Sequence, residues 1–266
     1  MALEIFKKDQ QARGSFNNGE ILEYKPIGFP QDGGALKPYS NLFYWAHAWT
    51  PAEKSTIGLH PHQGFEICSF VLKGRINHFD TKQNRWIPLK KGDVQVIRSG
   101  NGISHAEEID KESEIFQIWF DPNLSVSLKQ DASYDDYKEK DLKILIFNIK
   151  IFFYKEKDFN VEDFDGVKKK SILGPKSPMK INTEHISINE YSFKNGTHSL
   201  KIKPGSVHSL FIIEGEIEYD HNFYKNGTFI KISDLENFHF ETLNKTKIFE
   251  IISPIVPSYK TYVNMR

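Results

Sequence analysis

The segment Phe70-Val-Leu-Lys-Gly74-Arg-Ile-Asn-His-Phe-Asp80 recurs in related form as Phe211-Ile-Ile-Glu-Gly215-Glu-Ile-Glu-Tyr-Asp220. In both copies an apolar run meets a glycine, continues as alternating polar and apolar residues, and ends at an aspartate. A second run that begins with glycine follows each copy, as Gly92-Asp-Val-Gln-Val-Ile and Gly227-Thr-Phe-Ile-Lys-Ile. Two matched pairs of runs predict the duplication of one small β-barrel.

Strand signals dominate the rest of the chain. Short runs rich in β-branched and aromatic residues alternate with Gly, Asn, Asp and Pro, which is typical of β-sandwiches and barrels. These runs are EICSFVL (66–72), DVQVI (93–97), EIFQIWF (114–120), KILIFNI (143–149), HISINEYSF (185–193), SLFIIEGEIEY (209–219) and TFIKI (228–232). Only the stretches Tyr134–Leu142 and Val161–Ser171 suggest helices. The sequence therefore predicts an all-β protein with two tandem barrels, residues 1–140 and 141–266, joined near the polar segment 125–145.

Charge and cysteine content exclude several classes of protein. The 266 residues carry 35 Lys+Arg and 35 Asp+Glu, so the formal net charge is zero. A protein that binds nucleic acid by neutralising phosphates normally has a basic excess, so direct nucleic-acid binding is not expected. The only cysteine, Cys68, allows no intramolecular disulfide and fits a reducing compartment. The N-terminus lacks the apolar core of a signal peptide and no run is long enough to span a membrane, so we expect a cytoplasmic protein.

Two short motifs carry candidate metal ligands. His60-Pro-His62 and His105-Ala-Glu107 each place two ligand types at positions i and i+2. In a strand such residues point to the same face, about 6.6 Å apart. If the two strands are neighbours, three imidazoles and one carboxylate converge. This donor set suits a borderline divalent metal such as iron, zinc, nickel, copper or manganese. Each motif alone is more often an ordinary strand pair, and it is their combination that favours a metal site.

The second repeat has lost these ligands. Alignment on the repeated glycines places Lys201 and Lys203 where the first repeat has His60 and His62, and Phe240 and Thr242 where it has His105 and Glu107. The metal site is therefore expected in the N-terminal barrel only. The remaining histidines are interpreted as surface or structural residues, with a possible supporting role beside the site for His47; they are His47, His78, His185, His198, His208, His221 and His239.

Three segments together resemble the pirin family, a two-domain branch of the cupin superfamily. They are GLHPHQGFEICSFVLKGRINHFD (58–80), GDVQVIRSGNGISHAEE (92–108) and FQIWFDP (116–122). The resemblance is good over about residues 30–140 and weaker beyond, where the family has a metal-free cupin copy. It implies that His60, His62, His105 and Glu107 bind one metal ion, usually iron, with other divalent metals such as cobalt accepted.

Glu66 is the alternative carboxylate ligand. In most single-domain cupins an acid a few residues after the His-x-His pair completes the ligand set, and Glu66 occupies such a position. In a straight strand it would lie about 13 Å from His62, too far for one coordination sphere. In pirin-like proteins the glutamate of the His-x-Glu pair coordinates instead, which favours Glu107 and leaves Glu66 a supporting or structural role.

The resemblance implies an oxidoreductase similar to quercetin 2,3-dioxygenase, which opens a flavonol-like aromatic substrate with O₂. Glu107 would then also serve as the general base, and an apolar barrel interior would hold the flat substrate. The alternative is a metal- or redox-responsive regulator that binds a protein partner and has no turnover. A third possibility is a different cupin reaction at the same ligands. No separate organic cofactor, nucleic acid or membrane is expected.

Overall fold

The structure is a computed structural model that describes residues 2–139, 159–164, 166–175 and 177–265. Over these residues the chain forms strands β1 to β22 and one four-residue α-helix, α1 (Leu124–Ser127). No helix in this described part is long and apolar enough to cross a membrane. The prediction of an all-β fold is confirmed.

The first barrel consists of a seven-stranded and a four-stranded antiparallel sheet. Its strands are β2 (Ala12–Phe16), β3 (Ile21–Ile27), β4 (Leu42–Trp49), β5 (Ser55–His62), β6 (Glu66–Lys73), β7 (Arg75–Asp80), β8 (Trp86–Lys90), β9 (Val94–Arg98), β10 (Ile103–Ile109), β11 (Glu114–Phe120) and β12 (Ser133–Tyr137). The larger sheet has the order β12-β9-β6-β11-β4-β3-β2 and the smaller one β5-β10-β7-β8. Strands β5 and β10, which carry the two ligand motifs, are therefore neighbours.

The second barrel repeats this arrangement. Its strands are β1 (Leu3–Phe6), β13 (Asn160–Phe164), β14 (Val167–Leu173), β15 (Ser187–Phe193), β16 (Gly196–Lys201), β17 (Ser206–Glu214), β18 (Glu216–Tyr219), β19 (Asn222–Lys225), β20 (Phe229–Ile232), β21 (Asn237–Thr242) and β22 (Thr246–Pro254). The seven-stranded sheet has the order β1-β20-β17-β22-β15-β14-β13 and the four-stranded sheet β16-β21-β18-β19.

The repeated glycines form the same turn in both barrels. The Gly92 N–H donates to the Val71 carbonyl at 2.8 Å, and the Gly227 N–H donates to the Ile212 carbonyl at 2.7 Å. The two glycines have φ values of 88° and 87°, in the left-handed region that residues with a Cβ disfavour. The segments that suggest a duplication in the sequence thus occupy equivalent places, and the prediction of two tandem barrels is confirmed.

An aromatic cluster joins the two barrels. Trp45 and Phe116 of the first barrel pack against Phe211 and Phe249 of the second, with ring centroids 4.9–6.2 Å apart. All four side chains are buried. Since each buried aromatic side chain removes about 150–250 Å² from water, this cluster is a large part of what holds the barrels together.

The predicted boundary at residue 140 borders residues 140–158, which lie outside the described part of the chain, as does the predicted run KILIFNI (143–149). The boundary therefore stays a prediction. One element crosses it, because β1, in the predicted first domain, pairs with β20 of the second barrel. Leu3 and Ile5 of β1 pack against the apolar core of that barrel, which explains the pairing.

The prediction of helices in the stretches Tyr134–Leu142 and Val161–Ser171 is wrong over their described residues, which contain strands. Within the first, β12 pairs along β9 at the edge of the large sheet. Within the second, β13 and β14 form a hairpin across Gly166, which has a φ of 80°. In both cases pairing with a neighbouring strand satisfies the backbone and overrides a marginal local preference.

Candidate metal centre

The two ligand motifs face each other across one strand pair. His60 of β5 lies directly opposite His105 of β10, and a β-bulge follows between His105 and Glu107. The imidazole rings of His60, His62 and His105 have centroids 4.4–4.8 Å apart. The potential ligand atoms of these three residues all lie within 4.8 Å of one another. Alternation along β5 and antiparallel pairing with β10 are sufficient to bring them together.

Several nitrogen atoms of this cluster lack partners. His62 Nε2 and both ring nitrogens of His105 are buried and have no hydrogen-bond partner among the described residues. His60 Nδ1 is 2.7 Å from the Gly58 carbonyl, which can only accept, so the proton lies on Nδ1 and Nε2 keeps its lone pair. Buried polar atoms are nearly always satisfied, so a group of unpartnered imidazole nitrogens fits a cluster that binds an ion.

Burial also keeps two of these rings neutral. It lowers the pKa of His62 to about 3, and the neighbouring imidazoles of His105 and His60 lower it further. Burial likewise lowers the pKa of His105 to about 3, with His60 and His78 contributing in the same direction. A neutral imidazole is the form that binds a metal, so at pH 7 no proton has to leave either ring first.

Glu107 is fully buried behind His105. Its Oε1 accepts hydrogen bonds from Ser69 Oγ and Gln95 Nε2, both at 3.0 Å, and its Oε2 accepts from Gln117 Nε2 at 2.5 Å. These three neutral donors fix the orientation of the carboxylate. Glu107 shares a candidate ligand group with His105 and His78, and is not part of the group formed by His60, His62 and His105.

The donor chemistry of the cluster fits one divalent metal ion. Three neutral imidazoles, with a carboxylate next to one of them, form a set suited to iron, nickel, zinc, copper, cobalt or manganese. Both groups of candidate ligands found in the described residues lie in the first barrel. In the second barrel, Phe240 of β21 lies opposite His198 of β16, as Glu107 of β10 lies opposite Ile57 of β5 in the first barrel. Phe240 is thus the equivalent of Glu107 and Phe238 is the equivalent of His105, and both phenylalanines are buried. The alignment on glycines predicts Phe240 and Thr242 instead, two residues later in the chain.

Glu66 does not belong to this cluster. Its carboxylate accepts hydrogen bonds from the backbone N–H of Asn182 and Thr183 at 2.7 Å, and from Thr183 Oγ1 at 2.6 Å. Arg98 Nε lies 3.5 Å away. Glu66 is therefore a buried link between strand β6 and the segment that leads into the second barrel, in agreement with the structural role that its spacing suggests.

Two histidines outside the predicted set have well-defined surroundings. His47 packs against Phe116 and Phe211 at the contact between the barrels and lies 3.4 Å from Glu114, so it does not support the metal ligands directly. The sequence pattern predicts only a surface or structural role for His78. In the structure it lies on β7, directly opposite Glu107, and is fully buried. The signal that could have identified it is the spacing of His78-x-Asp80, which matches that of the two ligand motifs.

Aromatic side chains close one side of the cluster. The Trp119 ring meets His62 edge-on at a centroid distance of 4.8 Å, and its Nε1 donates to Gln117 Oε1 at 3.1 Å. Phe43 and Phe65 stack on each other beside Trp119. Trp119 thus shields His62 from water and, through Gln117, reaches the carboxylate of Glu107.

His62 also lines a cavity of about 550 Å³. It is lined by Pro61, His62, Gln63, Thr81, Asn101, Gly102, Ile103 and Ser104. This lining is mixed, because the β9–β10 connection and the start of the β7–β8 connection contribute amide and hydroxyl groups beside Pro61 and Ile103. A ligand in this cavity would contact neutral hydrogen-bonding side chains as well as His62. The apolar barrel interior stays a prediction.

Comparison with known proteins agrees with this architecture. A Pirin family model matches residues 31–120. A Zymomonas mobilis protein provisionally named a quercetin 2,3-dioxygenase is 38% identical over 120 residues, which cover 34% of this chain and 51% of that protein. Pirin-1 of Arabidopsis thaliana is 29% identical over 163 residues, 59% of this chain and 50% of that protein. The chain thus spans about half the length of the curated relatives that it matches.

A solved structure extends the likeness of the fold to nearly the whole chain. The bacterial pirin YhhW of Escherichia coli, in complex with nickel(II), matches with a TM-score of 0.73 and 16% identity over 96% of this chain and 100% of that one. The matched family model covers the barrel that holds the histidine cluster, and the two-barrel fold is shared. Residues 31–120 thus match the Pirin family, and the fold of nearly the whole chain is similar to that of a solved pirin.

Proposed function

We propose that this protein is a metal-dependent dioxygenase of the quercetinase type, which uses O₂ to open a small hydroxylated aromatic substrate. The observation that carries the proposal is the convergence of His60, His62 and His105, with buried unpartnered nitrogens, beside an open cavity that His62 lines. The provisional name of the Zymomonas mobilis relative supports the same reaction class. Iron(II) is the proposed ion, and zinc, nickel, copper, manganese and cobalt are alternatives for these donors.

The roles of the side chains follow from their positions. His60, His62 and His105 would hold the ion, with Glu107 as the carboxylate ligand next to His105. When bound, a divalent metal acts as a Lewis acid and lowers the pKa of a coordinated hydroxyl group. Glu107 is the candidate acceptor for the proton that such a hydroxyl loses. Ser69, Gln95 and Gln117 hold its carboxylate in place and leave Oε2 one further position to accept a proton.

The cavity determines how a substrate would be bound. Gln63, Thr81, Asn101 and Ser104 present amide and hydroxyl groups, which can pair with the phenolic hydroxyls of a flavonol-like ring. Trp119 supplies an apolar wall on the inner side and limits the access of water to His62. The entrance therefore favours a polyhydroxylated aromatic over a purely apolar one.

The regulator is the second candidate. A sensor that only changes a surface does not need an open path to its metal, whereas an enzyme does. The cavity of about 550 Å³ next to His62 thus favours turnover over sensing. A different cupin reaction would keep the ligands and change only the groups that line this cavity.

The test is elemental analysis of the purified full chain, followed by anaerobic loading with Fe(II) and measurement of O₂ uptake with quercetin as the probe. We expect about one metal ion per chain and O₂ consumption that depends on quercetin. The variant His105→Ala should lose both, whereas His239→Ala, at an exposed position of the second barrel, should retain both. Metal binding without turnover would favour the regulator, and no metal after loading would overturn the site.

A further inference from the structure

His78 is more deeply buried than His60 and His62. Strand β7 pairs with β10 on the side opposite to β5, so that His78 is directly opposite Glu107 and Asp80 is directly opposite His105. His78, Asp80, His105 and Glu107 are each fully buried. The His78 ring stacks on Tyr134 at a centroid distance of 4.6 Å and an interplanar angle of 9°. Its position in the barrel is therefore well defined.

The hydrogen bonds of Asp80 fix the tautomer of His78. Asp80 Oδ1 accepts from the backbone N–H groups of Lys82 and Gln83 at 2.7 Å, and Oδ2 lies 2.7 Å from His78 Nε2. A carboxylate can only accept, so Nε2 carries the proton. In the neutral ring this leaves a lone pair on Nδ1, which is buried and has no hydrogen-bond partner among the described residues.

That lone pair lies near two other donors. The potential ligand atoms of His78, His105 and Glu107 all lie within 4.8 Å of one another. Both ring nitrogens of His105 are buried and unpartnered, so His105 has a nitrogen available to either group of ligands. An imidazole whose far nitrogen donates to a carboxylate is the usual arrangement of a histidine that binds metal. The Asp80–His78 pair has this arrangement without belonging to the predicted ligand set.

We propose that the protein has a second, inner position for its metal ion, formed by His78, His105 and Glu107, which shares His105 with the outer position at His60 and His62. The inference rests on the proposed function only in requiring that this cluster binds metal. The two positions differ in access, because the inner three side chains are fully buried whereas His62 lines the cavity. An ion in the inner position is closed off from a substrate, and an ion in the outer position is open to it.

The experiment is a titration of the full-length apoprotein with Co(II), whose visible spectrum reports the number and type of its ligands. Wild type should bind one ion per chain. His60→Ala removes only an outer ligand, so it should still bind one Co(II), about 10–100-fold more weakly and with a changed spectrum. Adding His78→Phe, which keeps an aromatic ring against Tyr134, should remove this remaining binding. Equal binding by His60→Ala and by the double variant would overturn the inner position, as would the absence of binding in His60→Ala.

A second substitution guards against misfolding. Asp80→Asn has the same shape, and its amide N–H can donate to His78 Nε2, which moves the ring proton to Nδ1 and blocks the lone pair. In the His60→Ala background, Asp80→Asn should therefore abolish Co(II) binding just as His78→Phe does, with an unchanged far-ultraviolet circular dichroism spectrum. Retention of binding by this folded variant would contradict the proposal. If wild type itself binds no Co(II), the proposed function fails, and that result is distinct from a failure of the inner position alone.

Discussion

Buried histidines in the two barrels differ in the hydrogen bonds of their ring nitrogens. In the first barrel, His62 Nε2 and both nitrogens of His105 have no partner among the described residues. In the second barrel, His208 is equally buried, but its Nδ1 lies 2.8 Å from Glu250 Oε1 and its Nε2 accepts the Lys203 N–H at 2.9 Å. The same fold thus contains one cluster of imidazoles whose buried nitrogens lack hydrogen-bond partners and one buried histidine whose two nitrogens both have them.

The second network is closed at its other end as well. Glu250 Oε2 accepts hydrogen bonds from Asn189 Nδ2 at 2.8 Å and from Tyr191 OH at 3.0 Å. Every polar group of this network therefore has a partner, as expected for buried polar side chains that serve structure. The comparison teaches that burial of a histidine does not indicate a function, whereas several unpartnered imidazole nitrogens that lie close together do.

The largest expected effect is on metal affinity. His105 belongs to both candidate ligand groups, so His105→Ala should weaken Fe(II) or Co(II) binding by more than about 100-fold, beyond the loss typical of residues that only orient ligands. His208→Ala should change the affinity by less than about threefold, because it is distant from the cluster and shares no partner with it. Elemental analysis and metal titration measure both. Equal metal contents in the two variants would remove the difference between the barrels.

For the unfolding free energy we expect the opposite order, with the larger loss in the second barrel. Glu250→Leu leaves the buried donors His208 Nδ1, Asn189 Nδ2 and Tyr191 OH without their acceptor. At about 1–3 kcal/mol for each unsatisfied donor, we expect a loss of about 3–5 kcal/mol of unfolding free energy. In the metal-free protein, His105→Leu replaces an unpartnered imidazole by an apolar side chain of similar size and should cost less than about 1 kcal/mol. Urea unfolding of both variants without metal tests this. A larger loss for His105→Leu would mean that the first cluster is structural too.

The sequence was sufficient for the parts of the molecule that depend on local pattern. The Gly74 and Gly215 segments predict the duplication because a turn with positive φ requires glycine at the same place in each copy. The pairs His60/His62 and His105/Glu107 are visible because strand alternation sets the direction of residues two apart. The convergence of the three imidazoles then required only that β5 and β10 be neighbours.

Long-range pairing decides what the sequence did not show. The carboxylate of Glu66 bonds with Asn182 and Thr183, which are distant in sequence and cannot be inferred from its neighbours. The role of His78 depends on the pairing of β7 with β10, which no local signal specifies. For the same reason the hairpin formed by β13 and β14 replaces a stretch with weak helical character.

The link made by Glu66 gives a third, intermediate effect. Glu66→Ala leaves the N–H and the hydroxyl of the buried Thr183 without their acceptor, and an unsatisfied buried donor costs about 1–3 kcal/mol. We expect a loss of about 2 kcal/mol in urea unfolding and no change in metal affinity, because Glu66 is not a member of either ligand group. Thr183→Val, which removes only the hydroxyl donor, is the milder control. A loss of metal binding in Glu66→Ala would restore Glu66 as a candidate ligand.

The smallest effect tests whether an unpartnered atom always marks a site. Asp121 Oδ1 is buried without a partner in the described residues, yet Asp121 belongs to neither ligand group. Burial raises the pKa of Asp121 to about 6, while the hydrogen bond from the Tyr262 backbone N–H opposes the shift. The raised pKa means that between about pH 4 and pH 6 the folded protein binds a proton that the unfolded chain does not. This contribution to stability is present below that window and is lost as the pH rises through it.

Asp121→Asn cannot ionise, so it should remove this pH dependence. Relative to wild type, its unfolding free energy should increase by about 1–2 kcal/mol between pH 4 and pH 7, a figure reduced from the full pKa shift to allow for solvent screening. Urea unfolding at several pH values measures the difference, and Asp9→Asn, at an exposed position, should show none. A flat difference for Asp121→Asn would contradict the raised pKa. If the unpartnered oxygen of Asp121 only lowers the stability at neutral pH, a single such atom has no ligand to bind. Several unpartnered donors must then lie close together, as they do around His105, before they indicate a binding site.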